Sequence, residues 1–368
     1  MLPRLTIRAK RFVALARTKV AFSPGQGIYC TWIRQGEGVR KPTIIDLAKA
    51  AGVSPTTISH AFSGRRKVDP ETRERIVALA DKMGYRPNQA AQRLRSGRTG
   101  TIGLASSMPF AVAAGPSRLG FLMEIAASAA MTALTRDMAL CLVPTSPGRN
   151  LDNLGFDGVI VVEPARDEPL IRYFEGRHTP IVSIGKVPAR PDIPAIDLHS
   201  AQTARLLLGH LFDAGSRRIG LITGRQRRTS YEETETVYAE FSAAHAMPAI
   251  ALSLDENGGE ELAEREAAKL LQRHPRLDGL LVTVDALATG TMTALSHLGL
   301  RVPDNVRLAT RYDGMRAQLA QPQLTAVDLH LDLVARLAVE TLLARIEGQD
   351  AAFTTPCPDL IARPSSVG

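Results

Sequence analysis

The stretch from Thr43 to Thr99, TIIDLAKAAGVSPTTISHAFSGRRKVDPETRERIVALADKMGYRPNQAAQRLRSGRT, constrains this chain more than any other segment. Its punctuation spells short helices. Thr43, with Asp46 three residues on, has the form of a capping box. Ile44, Leu47, Ala48 and Ala51 then recur at helical spacing, and Gly52 ends the run. Ser54 suits an N-cap and Pro55 the first helical position, where a missing N–H costs nothing. They open a second helix over about residues 55–62, with Ile58, Ala61 and Phe62 facing inward. A helix, a tight glycine turn and a second helix have helix-turn-helix spacing. Asp69-Pro70-Glu71 opens a third helix, whose apolar stripe of Ile76, Leu79, Ala80 and Met83 stops at Gly84.

Charge divides along the chain in a way that fits a nucleic-acid partner. Residues 1–40 carry eight Lys and Arg against Glu37 alone, residues 41–99 twelve against five, and residues 100–368 carry 25 against 31. The chain is thus a basic arm and head on an acidic body, and duplex DNA is the expected partner of the basic end. Cys30, Cys141 and Cys357 are scattered and odd in number. They form neither a metal-ligand spacing nor a disulfide framework, which points to a reducing, cytoplasmic setting. The eight histidines are dispersed as well. No metal or cofactor is therefore expected, and no apolar run reaches the length of a membrane span.

Residues 1–40 show no periodicity and no apolar core or cleavage site for a signal peptide. One reading is an extra basic arm on DNA. The preferred one is a basic extension without ordered structure, or a start placed too early, with Val39 as an alternative bacterial start giving VRKPTIIDLAKAAGVS.

From residue 100 onward the pattern changes to β-rich runs alternating with amphipathic helices. The expected strands are 101–106, 140–144, 158–162, 181–184, 218–223, 280–284 and 306–310. Helices are expected over 121–135, 201–214, 260–273 and 286–298. Such alternation gives an α/β body of parallel sheets covered by helices, long enough for two lobes behind an all-α head.

The segment of the opening paragraph resembles the DNA-binding domain of the lactose-repressor (LacI/GalR) family of bacterial transcription regulators. The resemblance rests on Thr43, Ile44, Asp46, Ala48, Ala51-Gly52-Val53-Ser54, Thr57-Ile58-Ser59, Val68, Thr72-Arg73, Ile76, Gly84-Tyr85, Pro87-Asn88, Ala91, Leu94 and Arg98-Thr99. It continues through the body in AIDLHSAQTARLLLGHLFDAGSRRIGLITG, in LDGLLVTVDALATGTMTALSHLGLRVPDNVRLATRYDG, in PQLTAVDL and in LIARPSS. It implies a helix-turn-helix head over 41–86, a hinge helix and linker over 87–99, and a body over 100–368. That body would be a periplasmic-binding-protein-like pair of Rossmann-like lobes, with crossing strands near 198–200 and 325–330 and a ligand cleft between them.

The resemblance also implies where DNA is met. Thr43, Ser54, Pro55, Thr56, Thr57, Ser59 and His60 lie in the head, with Pro55, Thr56 and His60 at the reading positions of a major-groove helix. Thr57 and Ser59 suit phosphate contact or local capping. The family often carries Arg where His60 stands, so the bidentate fork is lost and the operator is expected to depart from the common pattern. In the linker, Asn88, Ala91, Leu94 and Arg95 match the hinge helix. Leu94 is the expected minor-groove wedge, paired with its copy from a second subunit.

For the cleft, Asp313 matches the family's acidic residue, and Val284-Asp285 replaces a usual Asn-Asp. The family's effector-binding Arg falls near Thr234 and is absent, while Arg311 replaces a usual Gly and brings a guanidinium. Ser107, Phe110 and Tyr231 complete the expected effector-binding set; turn capping, lobe packing and a surface aromatic are their plain alternatives. The basic run Arg225, Arg227, Arg228 reads as an exposed loop, and Glu232-Glu233-Thr234-Glu235 as a solvated helix start. The connection 145–155 is short enough to trim one helix of the first lobe.

The function expected is that of a homodimeric repressor on a pseudo-palindromic operator, controlled by a small-molecule effector such as a sugar or related metabolite. The alternative is an enzyme, or a ligand-binding α/β protein, with an accessory DNA head. It lacks a GxSxG, a Walker loop, a GxGxxG after a strand or a metal cluster to support it. No leucine heptad follows LIARPSSVG, which favours a dimer over a coiled-coil tetramer.

Overall fold

A computed structural model describes residues 42–63, 68–86, 98–109, 120–144, 149–349 and 353–367. The chain divides into two compact units, Met1–Gln89 and Ala90–Gly368. The extension over 1–40 lies outside the described residues, as do the expected hinge residues Asn88, Ala91, Leu94 and Arg95, and Phe110.

The head consists of α1 (Ile44–Ala51), α2 (Pro55–Ser63) and α3 (Pro70–Met83). Each start is secured by side-chain chemistry. The Thr43 amide donates to Asp46 Oδ2 at 2.8 Å while the Asp46 amide donates to Thr43 Oγ1 at 3.3 Å, closing the capping box. Ser54 Oγ accepts from the Thr57 amide at 3.1 Å, and Asp69 Oδ2 from the Thr72 amide at 3.0 Å. Gly52 and Gly84 end α1 and α3 at φ 67° and 66°, the left-handed cap geometry that glycine adopts without a Cβ penalty. Leu47, Ile58 and Ile76, one from each helix, are fully buried and meet Ala48, Ala61, Ala80 and Tyr85 in one small core.

The body contains two parallel sheets. The first comprises β1 (Thr101–Ala105), β2 (Ala139–Leu142), β3 (Gly158–Val162), β4 (Ile181–Ile184) and β5 (Ala195–Ile196), in the order β2-β1-β3-β4-β5. The second comprises β6 (Ile219–Gly224), β7 (Ile250–Leu254), β8 (Gly279–Val282) and β9 (Arg307–Thr310), in the order β7-β6-β8-β9. Their central strands are continuous apolar runs such as GVIVV and GLLV, buried at every position, as parallel strands covered on both faces require.

Around the first sheet lie α4 (Phe121–Leu134), the one-turn α5 (Arg149–Asp152) and α6 (Pro169–Glu175). Around the second lie α7 (Ser200–Asp213), α8 (Thr229–Ala244), α9 (Gly259–Arg273), α10 (Asp285–His297) and α11 (Met315–Leu319). The packing of α9 on α10 depends on Gly290, where a Cβ would overlap the Glu260 carbonyl oxygen.

The lobes exchange chain. After β5 the backbone passes through Asp197-Leu198-His199 into α7 of the second lobe. After β10 (Ala326–Asp328) it passes through Asp328-Leu329-His330 into α12 (Leu331–Ile346), which packs on α4, β3 and β4 of the first lobe. It then returns to β11 (Asp359–Ile361), antiparallel to β10, and Ser365 caps the second sheet by accepting from the Leu308 amide at 2.9 Å. At the entry to the body, the Thr99 and Gly100 amides donate to the Asp157 carboxylate at 2.5 and 2.8 Å.

Candidate functional site

In the head, the face of α2 opposite Ile58 and Ala61 carries Pro55, Thr56, Ser59 and His60. Pro55 and Thr56 are exposed, and Thr57, Ser59 and His60 are half-buried. The expected DNA residues Thr43, Ser54 and Thr57 are already engaged locally. Thr43 is committed to its capping box, and Ser54 Oγ lies 2.9 Å from Thr57 Oγ1 as well as capping α2. This leaves Pro55 and Thr56, at the solvent-facing start of the helix, as the most accessible of the expected reading positions.

In the body, the carboxyl ends of both parallel sheets face one another, where open α/β sheets bind ligands. Glu163 follows β3 of the first lobe and Arg311 follows β9 of the second. They pair through Arg311 Nη2 to Glu163 Oε1 at 3.1 Å and Nη1 to Oε2 at 3.4 Å. Both are almost wholly buried, at 3% and 7% exposure. Ser230 donates a short hydrogen bond to Glu163 Oε2, and Arg228 donates another to the Glu163 carbonyl oxygen. Glu163 is held at φ 47°, a left-handed conformation costing a non-glycine residue about 1–2 kcal/mol. Such strain persists where surrounding contacts over-determine the geometry.

Further links join the lobes around this pair. The Arg166 amide donates to the Arg227 carbonyl at 2.8 Å, and Arg166 Nη2 pairs with Glu232 at 3.1 Å. Lys186 bridges Asp197 at 2.8 Å and Glu233 at 3.2 Å. The acidic run is thus the start of α8 as expected, but it is engaged by cations of the first lobe.

The remaining expected effector residues are placed unevenly. Ser107 is half-buried and donates to Glu168 Oε2 at 2.5 Å. Tyr231 is buried, not a surface aromatic; burial, with Glu256 and Glu163 nearby, pushes its hydroxyl well above the ordinary tyrosine pKa. Asp285 opens α10 and is buried, which raises its carboxyl pKa to about 6 against the pull of Arg316, whose Nε lies 3.7 Å away. Asp313 is committed elsewhere. It is gripped through both oxygens by Arg363 of the C-terminal segment, with Gln318 Nε2 at 3.3 Å. Thr234, at the position of the absent family Arg, is buried and donates to the Ser230 carbonyl at 2.7 Å.

The exposed-loop reading of the basic run needs correction. Arg225 and Arg227 are exposed, but Arg228 is 1% exposed, with Nε 3.7 Å from the wholly buried Glu256. The run turns inward at its last residue because Arg228 precedes α8 at the edge of the cleft. Glu163 was missed altogether. Its only signal was a carboxylate at the carboxyl end of an otherwise apolar strand. A separate surface hollow of about 560 Å³, bordered by His178, Ile181, Asp192 and Arg345, lies at the amino ends of β4 and β5, away from this cluster. Among the described residues no helix is long and apolar enough to cross a membrane.

A three-helix reading head on a two-lobed parallel-sheet body, with polar groups converging between the lobes, defines a helix-turn-helix transcriptional regulator. Residues 43–88 match the family model for bacterial regulatory proteins of the lacI family, and residues 208–366 that for a periplasmic binding protein-like domain. The HTH-type transcriptional regulator IpsA of Corynebacterium glutamicum is 30% identical over 337 residues, covering 83% of this chain and 91% of that protein. The HTH-type transcriptional repressor PurR of Escherichia coli is 28% identical over 322 residues, covering 83% and 90%. A solved complex of the regulator CelR with cellobiose is 25% identical, with a TM-score of 0.62 over 88% of this chain and 99% of that one. The lac repressor dimer bound to operator and the anti-inducer ONPF shares the fold at 22% identity, with a TM-score of 0.76 over 89% and 100%. The chain belongs to the lacI family of bacterial regulatory proteins.

Proposed function

We propose that this protein is a cytoplasmic, homodimeric repressor whose hold on a pseudo-palindromic operator is set by a small molecule received between the lobes of its body. The observation that carries this reading is the buried polar cluster at the carboxyl ends of both sheets, where Glu163 of one lobe meets Arg311 and Ser230 of the other. A ligand entering there must alter contacts that tie the lobes together, and a two-state body is the element through which one site biases another. The effector is a sugar or a related metabolite, met by the cluster together with Ser107, Tyr231 and Asp285.

On the DNA side, residues 41–86 form the reader, with Pro55, Thr56 and His60 at base edges and Thr43, Ser54, Thr57 and Ser59 toward phosphates. Residues 87–99 form the hinge, with Leu94 as the wedge beside Asn88, Ala91 and Arg95. A hinge this short is not a stable helix alone in water, so its folding is coupled to DNA and to the spacing set by the body, residues 100–368. Residues 1–40 add a basic extension.

Footprinting of the gene's own upstream region, with and without candidate metabolites, tests the proposal. Protection that a metabolite relieves or tightens supports it. Indifference to every metabolite that raises the melting temperature of the protein would overturn it. Chemical conversion of such a ligand would favour an enzyme with an accessory DNA head.

A further inference from the structure

We propose that the cleft of this chain is built to receive a carboxylate, and that Glu163 fills that receptor when no ligand is bound. The inference deepens the effector reading above and rests on it for its regulatory meaning. The second lobe supplies everything a carboxylate needs. The Arg311 guanidinium presents two donors to the two Glu163 oxygens at 3.1 and 3.4 Å, and the Ser230 hydroxyl adds a third. Such fork-on-carboxylate pairing is the geometry in which Arg recognises a carboxylate rather than a point charge. Arg228 stands beside it, and the Nε atoms of Arg228 and Arg311 are buried with no hydrogen-bond partner among the described residues.

The occupant comes from the other lobe. Glu163 is tethered to β3 and enters the fork only because the lobes are closed upon each other. An incoming carboxylate exchanges with it without changing the charge of the buried cluster, since one carboxylate leaves the fork as another enters. A neutral ligand gains no such exchange. It would have to displace Glu163 and leave Arg311 buried without a counter-charge, which is strongly unfavourable. The effector class is therefore a small organic acid, a sugar acid included, and its entry frees the first lobe from the Arg311 contact.

The test uses the full-length protein and a defined probe. Glu163→Ala opens the fork, and its thermal unfolding is followed in acetate, in acetamide and in chloride of matched ionic strength. Acetate should raise the melting temperature of Glu163→Ala by several degrees more than acetamide or chloride, and by more than it does in the wild type. The preference should vanish in Glu163→Ala/Arg311→Gln. If Glu163→Ala does not fold, the isosteric Glu163→Gln gives the same comparison, its amide being the weaker competitor. Acetate no better than acetamide in both single variants, or a preference that survives loss of Arg311, would overturn the assignment. Operator affinity separates the two ideas. A Glu163→Gln protein that discriminates acetate but binds operator as the wild type does, with and without acetate, keeps the carboxylate receptor and removes its regulatory role. A change in operator affinity of tenfold or more supports both.

Discussion

His199 and His330 are the same device used at two points where the chain changes lobes. Each ends an Asp-Leu-His tripeptide, each sits in the left-handed region at φ 49° and 50°, and each donates its backbone amide to the Asp two residues earlier, at 2.9 and 2.7 Å. The intervening Leu198 and Leu329 are both buried. Both imidazoles reach the returning segment, His199 Nε2 lying 2.7 Å from Thr355 Oγ1 and His330 Nε2 3.0 Å from Asp359 Oδ2. Asp328→Ala removes the turn bond that holds His330 and a carboxylate near its ring. It should cost about 1–2 kcal/mol. A urea midpoint unchanged from the wild type would show that the device does not hold the crossover.

Asp285 makes stability depend on pH in a direction opposite to most carboxylates. Burial raises its folded pKa to about 6, above the ordinary value near 3.9. Between those values the folded state binds more protons than the unfolded one. Stability is thus favoured at the acidic side and lost as pH rises from about 4 to about 6, by roughly 2–3 kcal/mol. Asp285→Asn should flatten this part of the profile. Between pH 5 and 7, which spans the upper part of that window, urea melts should show the wild type losing about 1 kcal/mol more than Asp285→Asn, and parallel profiles would refute the assignment.

The head is small, so its caps and core matter in proportion. Asp69→Ala removes the acceptor of the Thr72 amide and should cost about 1 kcal/mol. Ile58→Ala opens a fully buried site and should cost about 2–5 kcal/mol. Circular dichroism melts of the full-length protein should show an early helical transition in Ile58→Ala, with operator binding lost at that temperature while the body stays folded.

His60 and Leu94 should separate two kinds of DNA contact. His60→Ala should relax discrimination at one base pair of each half-site by about 1 kcal/mol, the scale of a single hydrogen bond rather than of a bidentate pair. Leu94→Ala should weaken operator binding much more than binding to unrelated duplex, because it removes the wedge and leaves the phosphate contacts. Fluorescence anisotropy on operator and scrambled duplexes reads both, and equal losses on the two duplexes would argue against either role.

Much of this molecule could be read along the chain. The capping box of Thr43 and Asp46, the glycine stops at Gly52 and Gly84, and the strands 158–162 and 181–184 stand where local pattern put them. These features depend on neighbours a few residues apart, through helical periodicity, short continuous apolar runs and side-chain caps. The edge strand β7 (Ile250–Leu254) and the two-residue β5 were not among the expected strands. β7 keeps only one position buried, and β5 is too short to show a period.

The cleft was legible only in outline. The chain announced an added guanidinium at Arg311 and a missing one at Thr234. It did not announce that Arg228 turns inward from an apparently solvated run, that Asp313 is taken by Arg363, or that Glu163 is the partner of Arg311. Those pairings join residues 50 and 148 positions apart. No local periodicity encodes them. They follow from two sheets placing their carboxyl ends together, and from burial, which forces each buried charge to find a counter-charge wherever the topology supplies one.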